Sequence, residues 1–437
     1  MNQVHIIGTG MALPKRAVSN AELCQMFPAL ATSDEWLRRN VGVQQRYLAD
    51  SSETLVEIMV QASTEAIEQA GVNKIDRIIV GSNTQATQYP TAAGYVAKSL
   101  NGKRDLSSCW CVDIQNGCPS GLAAIALAVD SIRTGQAETV LAIGGDFNSR
   151  MLDYFERNAS LLMGDGASAF VLTRRENPGK GELSVSVLSH WEQTDYESAD
   201  IMRMKSSLSD FSPYEVSRRT RSAALEAIKQ INGDGPLSDN VSKEIQGKLE
   251  KINEDLRKIA FPPQGLPYEP DRYPHFIMLG AEVLEKIRRI VPDCGYLPML
   301  RNAGIGKEIF ESYDLLGVNR VSGIPGRIRK EVLKKLSDCF QLFIPHQANL
   351  RAHQNLSAAL QIPMNRIYSN IAQYANTSAG AAGIALYESL RKPSRFETIR
   401  GCFEEIETPM FEPGFKAVLV SFGAGTHVVS MALERLK

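Results

Sequence analysis

The sequence predicts an α/β protein with buried, largely parallel or mixed sheets, built as two related halves. Three observations predict it. Short β-branched runs alternate with helical segments along most of the chain, which is the pattern of strands buried under helices. The alternation runs twice to an apolar strand, once near residue 172 and once near residue 433. A block of purely helical periodicity interrupts the second pass.

In chain order, Met1 to Gly10 reads as a strand running into a glycine turn. It has neither the charged start nor the long apolar stretch of a signal peptide. Ala62 to Ala70 is helical, Ile78-Ile79-Val80 is a strand, and Pro119 to Thr134 is again helical. Thr139 to Ile143 and Ala169-Phe170-Val171-Leu172 are strands that bring the first half, residues 1–180, to its end. The second half, 181–437, resumes near Leu183 and closes with Ala417 to Val420 and Val428 to Leu433. No close sequence repeat links the halves.

Within the second half, about 200–272 changes character. Val241, Ile245, Leu249, Ile252, Leu256 and Ile259 recur at steps of four and three, one apolar stripe on a helix, with charged residues filling the other face. A helix around Arg218 to Ile231 precedes it, and Asn232 to Pro236 breaks the two apart, so the segment is expected to be an inserted helical hairpin. The stripe fits a lid or partner-docking surface. The commoner arrangement, packing on the body or on a twin subunit, is the favoured expectation. A second stretch, about 294–329, carries several Gly and Pro and is expected to be a further, irregular insertion.

Composition excludes several classes. The chain has 437 residues, 43% hydrophobic and 22% charged, which suits a globular protein with more than one core. A net charge of -1 gives no reason to expect nucleic acid as partner. No window reaches the ~18 apolar residues of a membrane span. Cysteines at 24, 109, 111, 118, 294, 339 and 402 are odd in number and scattered, as in a protein of the reducing cytoplasm. No Cys or His pair completes a zinc pattern, so no metal is expected. Gly8-Thr9-Gly10 lacks the third glycine of a dinucleotide fingerprint, and no phosphate loop is present. Gly144-Gly145-Asp146-Phe147 reads as the exit turn of a strand, and Gly164-Asp165-Gly166 as a tight turn before one.

The reactive candidate is Cys118. A strand ends, a turn follows, and the cysteine stands directly before a helix that Pro119 opens. The helix start offers unpaired N–H groups and the positive end of the dipole, which favour thiolate, the nucleophilic form. A buried cysteine acting only as a small hydrophobe is the alternative. Partners for a nucleophile lie in the second half. His346 follows the apolar run Phe343-Ile344-Pro345, and Asn376-Thr377-Ser378 precedes an Ala/Gly-rich helix. A neutral imidazole and an amide can both donate to a thioester oxygen that becomes an enolate when malonate loses carbon dioxide. His5, His190, His275, His353 and His427 have no such setting and are expected to be structural or on the surface.

With these residues in place, the sequence resembles the thiolase-fold condensing enzymes, most closely the β-ketoacyl-acyl-carrier-protein synthase III family. The resemblance rests on ordered motifs: Ile6 to Gly10 with Leu13-Pro14, Thr32 to Trp36, the Cys118 turn, Gly164 to Ala167, His346 to Arg351, Asn376-Thr377-Ser378, and Phe422 to Gly425. It covers nearly the whole chain outside the two insertions. It implies a five-layered αβαβα sandwich of two βαβαβαββ halves, and a homodimer. It further implies acylation of Cys118 by an acyl-CoA or acyl carrier, then decarboxylative condensation with a malonyl carrier supported by His346 and Asn376. The N–H groups of Cys118 and Ala424 would form the oxyanion hole, Trp36, Arg39 and Arg157 would hold CoA, and Arg351 would meet a carrier protein. Tyr89 falls where the twin subunit shapes the acyl pocket. No cofactor is bound permanently, since CoA or phosphopantetheine thioesters are the substrates.

The chain departs from the family in places. Asn40 stands where an arginine is usual, Ala281 and Glu285 replace an Asn and a basic residue, and Ala424 replaces a glycine. Two other activities suit the same scaffold. One is an acyltransferase that passes its acyl group to an alcohol, amine or thiol. The other is a silent subunit that shapes a partner, against which the intact Cys-His-Asn set argues.

Overall fold

The computed structural model describes residues 3–85, 87, 89–152, 154, 157–174, 183–197, 202–204, 276–278, 280–397 and 405–437. Met204–His275 separates as a unit of its own from a body formed by Met1–Arg203 and Phe276–Lys437, and the fold below is that of the body. The expected helical hairpin at about 200–272, apart from residues 202–204, lies outside the described residues, as do His275 and Cys402.

Among the described residues nine strands make one sheet: β1 (Val4–Ala12), β2 (Arg77–Gly81), β3 (Trp110–Ile114), β4 (Thr139–Phe147), β5 (Asp165–Thr173), β6 (Val185–Thr194), β7 (Leu342–Pro345), β8 (Lys416–Gly423) and β9 (His427–Arg435). Their order is β7-β8-β9-β6-β1-β5-β4-β2-β3. Outward from β1 the pairings run antiparallel, antiparallel, parallel. Outward from β6 they run the same way. A short antiparallel pairing of Val4–Ile6 with Val185–Val187 joins the two sets. The duplication invisible in the residue letters is therefore plain in the topology.

Strand residues alternate between faces, and the cores follow that alternation. Ile6, Ile79, Val140, Ala142, Phe170 and Leu172 of the first half face the same core as Ile344, Leu419, Val429 and Met431 of the second. Two helices fill that shared core, α4 (Ser120–Arg133) and α8 (Ala381–Ser389), and nearly every residue of both is buried. The other face of the first half, with Ile7, Ile78, Val80 and Leu141, packs on α2 (Leu55–Ala70) and α3 (Ala92–Leu100). The other face of the second half, with Phe343, Val418, Val420 and Val428, packs on α5 (Gly280–Val291), α6 (Gly326–Ser337) and α7 (Leu350–Leu360). The layers are thus helix, sheet, helix, sheet, helix, the thiolase-like sandwich.

Three local expectations change. Gly8 and Gly10 lie inside β1 rather than in a turn after it, because α2 crosses them at backbone distance. A Cβ on Gly8 or Gly10 would come within 2.0 Å of the carbonyl oxygen of Ala66 or Ala62. Gly144 to Phe147 belongs to β4, not to its exit, and Asp165 already begins β5. The stretch 294–329, expected to be irregular, holds short helices at Leu297–Asn302 and Lys307–Ser312, and α6 starts at its end. Tyr296, Leu297, Leu300 and Phe310 bury their side chains in the outer core of the second half. Its glycines serve as helix ends (Gly304 and Gly306 adopt φ of 69° and 72°), which is why the letters read as a loop.

Candidate active site

Cys118 is buried just before α4, at the step between β3 and that helix. Pro119 occupies the N-cap position and Ser120 the first helical one, a single step from the expected boundary. Gly117 takes a left-handed φ of 64°, and there a Cβ would come 2.7 Å from the carbonyl oxygen of Ala424. On the other side, a Cβ on Gly423 would meet the backbone nitrogen of Cys118 at 2.6 Å. Two glycines thus let the end of β8 lie directly on the nucleophile turn. Backbone N–H groups of Cys118 itself and of Ala424 reach the sulfur, as does the Ser378 hydroxyl, whose oxygen is 3.6 Å away.

The thiol is nonetheless not ionised at rest. Burial pushes its pKa up to about 11 and the Asp146 carboxylate adds to the rise, while Ser378 and the two N–H groups act in the opposite sense. The thiolate expected from a helix start is overruled by desolvation, the larger effect in a sealed site. Cys118 must lose its proton as substrate arrives.

His346 follows β7 directly. Its N–H donates to Val420 of β8 at 2.6 Å, and its ring meets Phe422 edge-on at 5.2 Å between centroids. Val420, Phe422, Gly423 and Ala424 are close neighbours in the chain, so one strand end carries both the histidine and the nucleophile turn. Burial holds the imidazole pKa down to about 3, helped by His353. His346 is therefore neutral across the physiological range. His353 is fully buried and its Nε2 lies 3.2 Å from the His346 carbonyl oxygen, which fits the structural part expected for it.

Asn376 stands before α8. Its N–H donates to Leu162 at 2.8 Å and its carbonyl accepts from Gly164 at 2.9 Å, tying it to the loop ahead of β5. Its side-chain oxygen accepts the Ser378 N–H at 2.9 Å, which leaves the amide NH2 to act as donor. The loop it leans on is held from below by Arg46, wholly buried, which donates to the carbonyl of Leu161 at 2.9 Å and to the side-chain oxygen of Asn20 at 3.1 Å. Burial lowers the Arg46 pKa to about 10, so it stays charged and keeps these carbonyls turned inward.

A polar hub missing from the sequence reading lies beneath. Asp146, fully buried at the end of β4, accepts from Ser82 Oγ (3.0 Å), Asn83 N–H (2.7 Å), Asn83 Nδ2 (2.9 Å), Thr84 N–H (3.1 Å) and Ala379 N–H (3.0 Å). Donors from both halves converge on it, so one carboxylate fixes the starts of α4 and α8 against each other. Asn83 carries the link onward, donating to the Gly117 carbonyl at 3.0 Å.

The expected recognition residues lie elsewhere. Trp36 and Arg39 are on α1 (Asp34–Asn40). Trp36 is 40% exposed, and Arg39 pairs with Glu35 one turn away at 3.0 Å. Arg351, in the first turn of α7, donates to the side-chain oxygen of Asn40. The α1 helix is thereby joined to the strand–helix step that carries His346. The Arg157 side chain lies outside the described residues. Tyr89 is 82% exposed. A narrow cavity of about 20 Å³, lined by Val283, Ile287, Phe422, Gly423 and Val428 among others, runs between α5 and the end of β8.

Known proteins resemble this chain in sequence and fold. The family model for 3-oxoacyl-[acyl-carrier-protein] synthase III matches residues 112–190, and the model for its C-terminal part matches 335–396. A β-ketoacyl-[acyl-carrier-protein] synthase III of Coxiella burnetii is 28% identical over 394 residues, which is 90% of this chain and 91% of the relative. The crystal structure of 3-oxoacyl-(acyl carrier protein) synthase III from Pseudomonas aeruginosa superimposes with a TM-score of 0.65 at 20% identity, covering 100% of this chain and 99% of that one. The priming β-ketosynthase of the R1128 polyketide pathway does so with a TM-score of 0.62 at 20% identity, covering 99% and 96%.

Proposed function

We propose that the chain is a β-ketoacyl synthase III-like condensing enzyme, in which Cys118 accepts an acyl group and passes it to a decarboxylating malonyl thioester. The donor is an acyl-CoA or acyl carrier protein, and the product a 3-oxoacyl thioester for fatty acid or polyketide assembly. One observation carries the reading: the turn of the buried Cys118 lies against Gly423 and Ala424, at the same strand end whose Phe422 meets the His346 ring.

The Cys118 thiol gives up its proton and attacks the donor carbonyl. The oxyanion formed is held by the two N–H groups, and the CoA or carrier sulfur leaves, taking up the proton that Cys118 gave up. His346 and the Asn376 amide then receive the malonyl thioester and donate to its carbonyl oxygen. Loss of carbon dioxide leaves the electron pair in an enolate, whose negative charge these two donors stabilise; removing one such donor typically costs about 10²–10³ in rate. The enolate carbon attacks the acyl group on Cys118, and the Cys118 thiolate departs and takes a proton from solvent to restore the resting thiol. A neutral imidazole suits this step, since no proton need be exchanged with it.

Trp36, Arg39 and Arg157 are assigned to CoA or phosphopantetheine, and Arg351 to the carrier. Their support is the family motif and the junction of α1 with α7. A second copy of the chain is assigned to the free edge of the sheet at β3, where Trp110 is 52% exposed, bringing the exposed Tyr89 to its partner's site. Sedimentation of the full chain tests that pairing.

Intact-protein mass spectrometry tests the chemistry. Exposure to acyl-CoAs and acyl carriers should add one acyl mass, absent in Cys118→Ala. Malonyl carrier should then discharge it with loss of carbon dioxide and a 3-oxoacyl product. Discharge to a nucleophile without carbon dioxide would identify a simple acyltransferase, and an acyl mass on Cys118→Ala would refute the assignment of the nucleophile.

A further inference from the structure

We propose that Ser378 is a catalytic residue of this site: its hydroxyl is the standing hydrogen-bond donor to the Cys118 sulfur, aimed there by Asn83 and Asp146. The proposal rests on the reading of Cys118 as nucleophile, and adds a residue outside the Cys-His-Asn set.

The geometry fixes the direction of the bond. Ser378 Oγ lies 3.6 Å from Cys118 Sγ and 3.4 Å from Asn83 Nδ2. An amide nitrogen cannot accept, so Ser378 cannot spend its hydrogen on Asn83, and the acceptor left for that single hydrogen is the sulfur. Asn83 cannot turn its amide over, because Nδ2 also donates to the Gly117 carbonyl and to Asp146 Oδ2, both within 3.0 Å. A flipped amide would set its oxygen against two acceptors. Asp146 is wholly buried and is itself held by donors from both halves. Asn83 therefore presents a fixed donor nitrogen to Ser378, anchored by a carboxylate that accepts only, and the hydroxyl hydrogen is left to the sulfur.

The backbone supports the same conclusion. Ser378 adopts a left-handed φ of 51°, where a side chain is unfavourable and glycine is at ease. The Asn376 side chain, receiving the Ser378 N–H, and Asp146, receiving the next N–H, hold the strained residue in place. A glycine would satisfy that backbone without strain. What serine adds is the hydroxyl, and the hydroxyl points at the nucleophile. Strain retained beside reacting atoms is a mark of function.

Ser378 neither gains nor loses a proton in this role. When the thiol ionises, the O–H···S contact becomes a charge-assisted bond to thiolate, which is the stronger kind. It does so twice per turnover, as Cys118 attacks the donor and again as it is expelled by the enolate carbon. In the acyl-enzyme between these steps the sulfur is neutral and the bond is weak. The residue thus favours the sulfur at the two moments when it carries charge.

The test is the pH dependence of Cys118 alkylation by iodoacetamide in the full-length protein, read by mass spectrometry of the Cys118 peptide. This readout needs no acyl substrate, so it is independent of whether the enzyme condenses or merely transfers. Ser378→Gly keeps the backbone and removes the hydroxyl; Ser378→Ala removes it at the same φ. Both should alkylate about tenfold more slowly at neutral pH, with the inflection displaced upward by about one unit. Asn83→Ala should shift it in the same direction by less, because the freed hydroxyl can turn away. An unchanged profile in Ser378→Gly would overturn the proposal, as would a shift in Ser378→Ala that glycine abolishes, since backbone strain would then be the cause.

Discussion

The helices α4 and α8 occupy matching places in the middle layer, one from each half, yet their starts do different chemistry. The start of α4 carries Cys118, pressed under β8 and reached by backbone N–H groups. The start of α8 carries Asn376 and Ser378, side-chain donors on a backbone bent into left-handed conformations at Ala375 and Ser378. The same supersecondary step therefore supplies a nucleophile in one half and the groups that steady charge in the other. Duplicated architecture brings two helix ends to one point, and divergence at a few positions divides the labour between them. Asp146 is the shared anchor, since it accepts from residues 82–84 of the first half and from Ala379 of the second.

If the division is real, a change in each half should have a distinct signature. The largest effect is expected from the pair Cys118→Ala and Asn376→Ala. The first should lose acylation and condensation alike. The second should acylate at nearly the normal rate and condense about 10²–10³-fold more slowly, the usual cost of one oxyanion donor. Single-turnover mass spectrometry separates the two steps. Equal loss of both in Asn376→Ala would show that the α8 start is only scaffolding.

Next comes the contact between the two helix starts. A Cβ on Gly121 would stand 2.1 Å from the Ala379 carbonyl oxygen and 3.0 Å from Gly144 Cα. These are backbone atoms and cannot rotate away. Gly121→Ala should cost about 1–3 kcal/mol or more of stability, as overpacking does. It should also slow Cys118 alkylation, because Ser378 is driven off the sulfur. Thermal unfolding and alkylation rate should fall together; a stable variant with a normal alkylation rate would mean that the helix starts are not rigidly joined.

The pH dependence divides the halves again. The folded-state pKa of Cys118 lies at about 11, above its ordinary value, so acylation should climb about tenfold per pH unit between 7 and 9. The pKa of His346 is depressed to about 3. Its neutral form persists from 6.5 down to that value, so condensation from preformed acyl-enzyme should show no His346 inflection between pH 5 and 8. The stability linked to its burial is present above 6.5 and is lost as pH falls toward 3. An inflection near 6.5 that disappears in His346→Gln would contradict a neutral histidine donor.

Much of this was legible in the sequence, for a physical reason. The nucleophile turn and the two second-half motifs are local: a strand, a tight turn and a helix start are each encoded within about ten residues. Asp146 was not legible. Its neighbours Gly144, Gly145 and Phe147 look like the exit of a strand, and only donors 60 to 230 positions away make its burial tolerable. The same holds for Arg46, whose carbonyl partners lie more than a hundred residues on. The ionisation state of Cys118 was misjudged because a helix start is a local feature, whereas the depth to which it is buried is not. Gly8 and Gly10 misled in the same way, since a helix 50 residues later decides that they have no side chain.

The smallest effect supplies the baseline against which the others are read. Thr54 caps α2, on the outer layer of the first half, with a reciprocal box in which its hydroxyl accepts the Glu57 N–H and Glu57 accepts the Thr54 N–H. Thr54→Ala should cost about 1 kcal/mol of stability. The lost contacts lie across the sheet from Cys118, His346 and Asn376, so acylation, condensation and the Cys118 alkylation profile should stay as they are. A fall in melting temperature with unchanged chemistry would show that stability and catalysis are separable in this half. If the cap variant also slowed condensation, losses in the variants above would have to be read as general loosening, and the division of labour between α4 and α8 would lose its support.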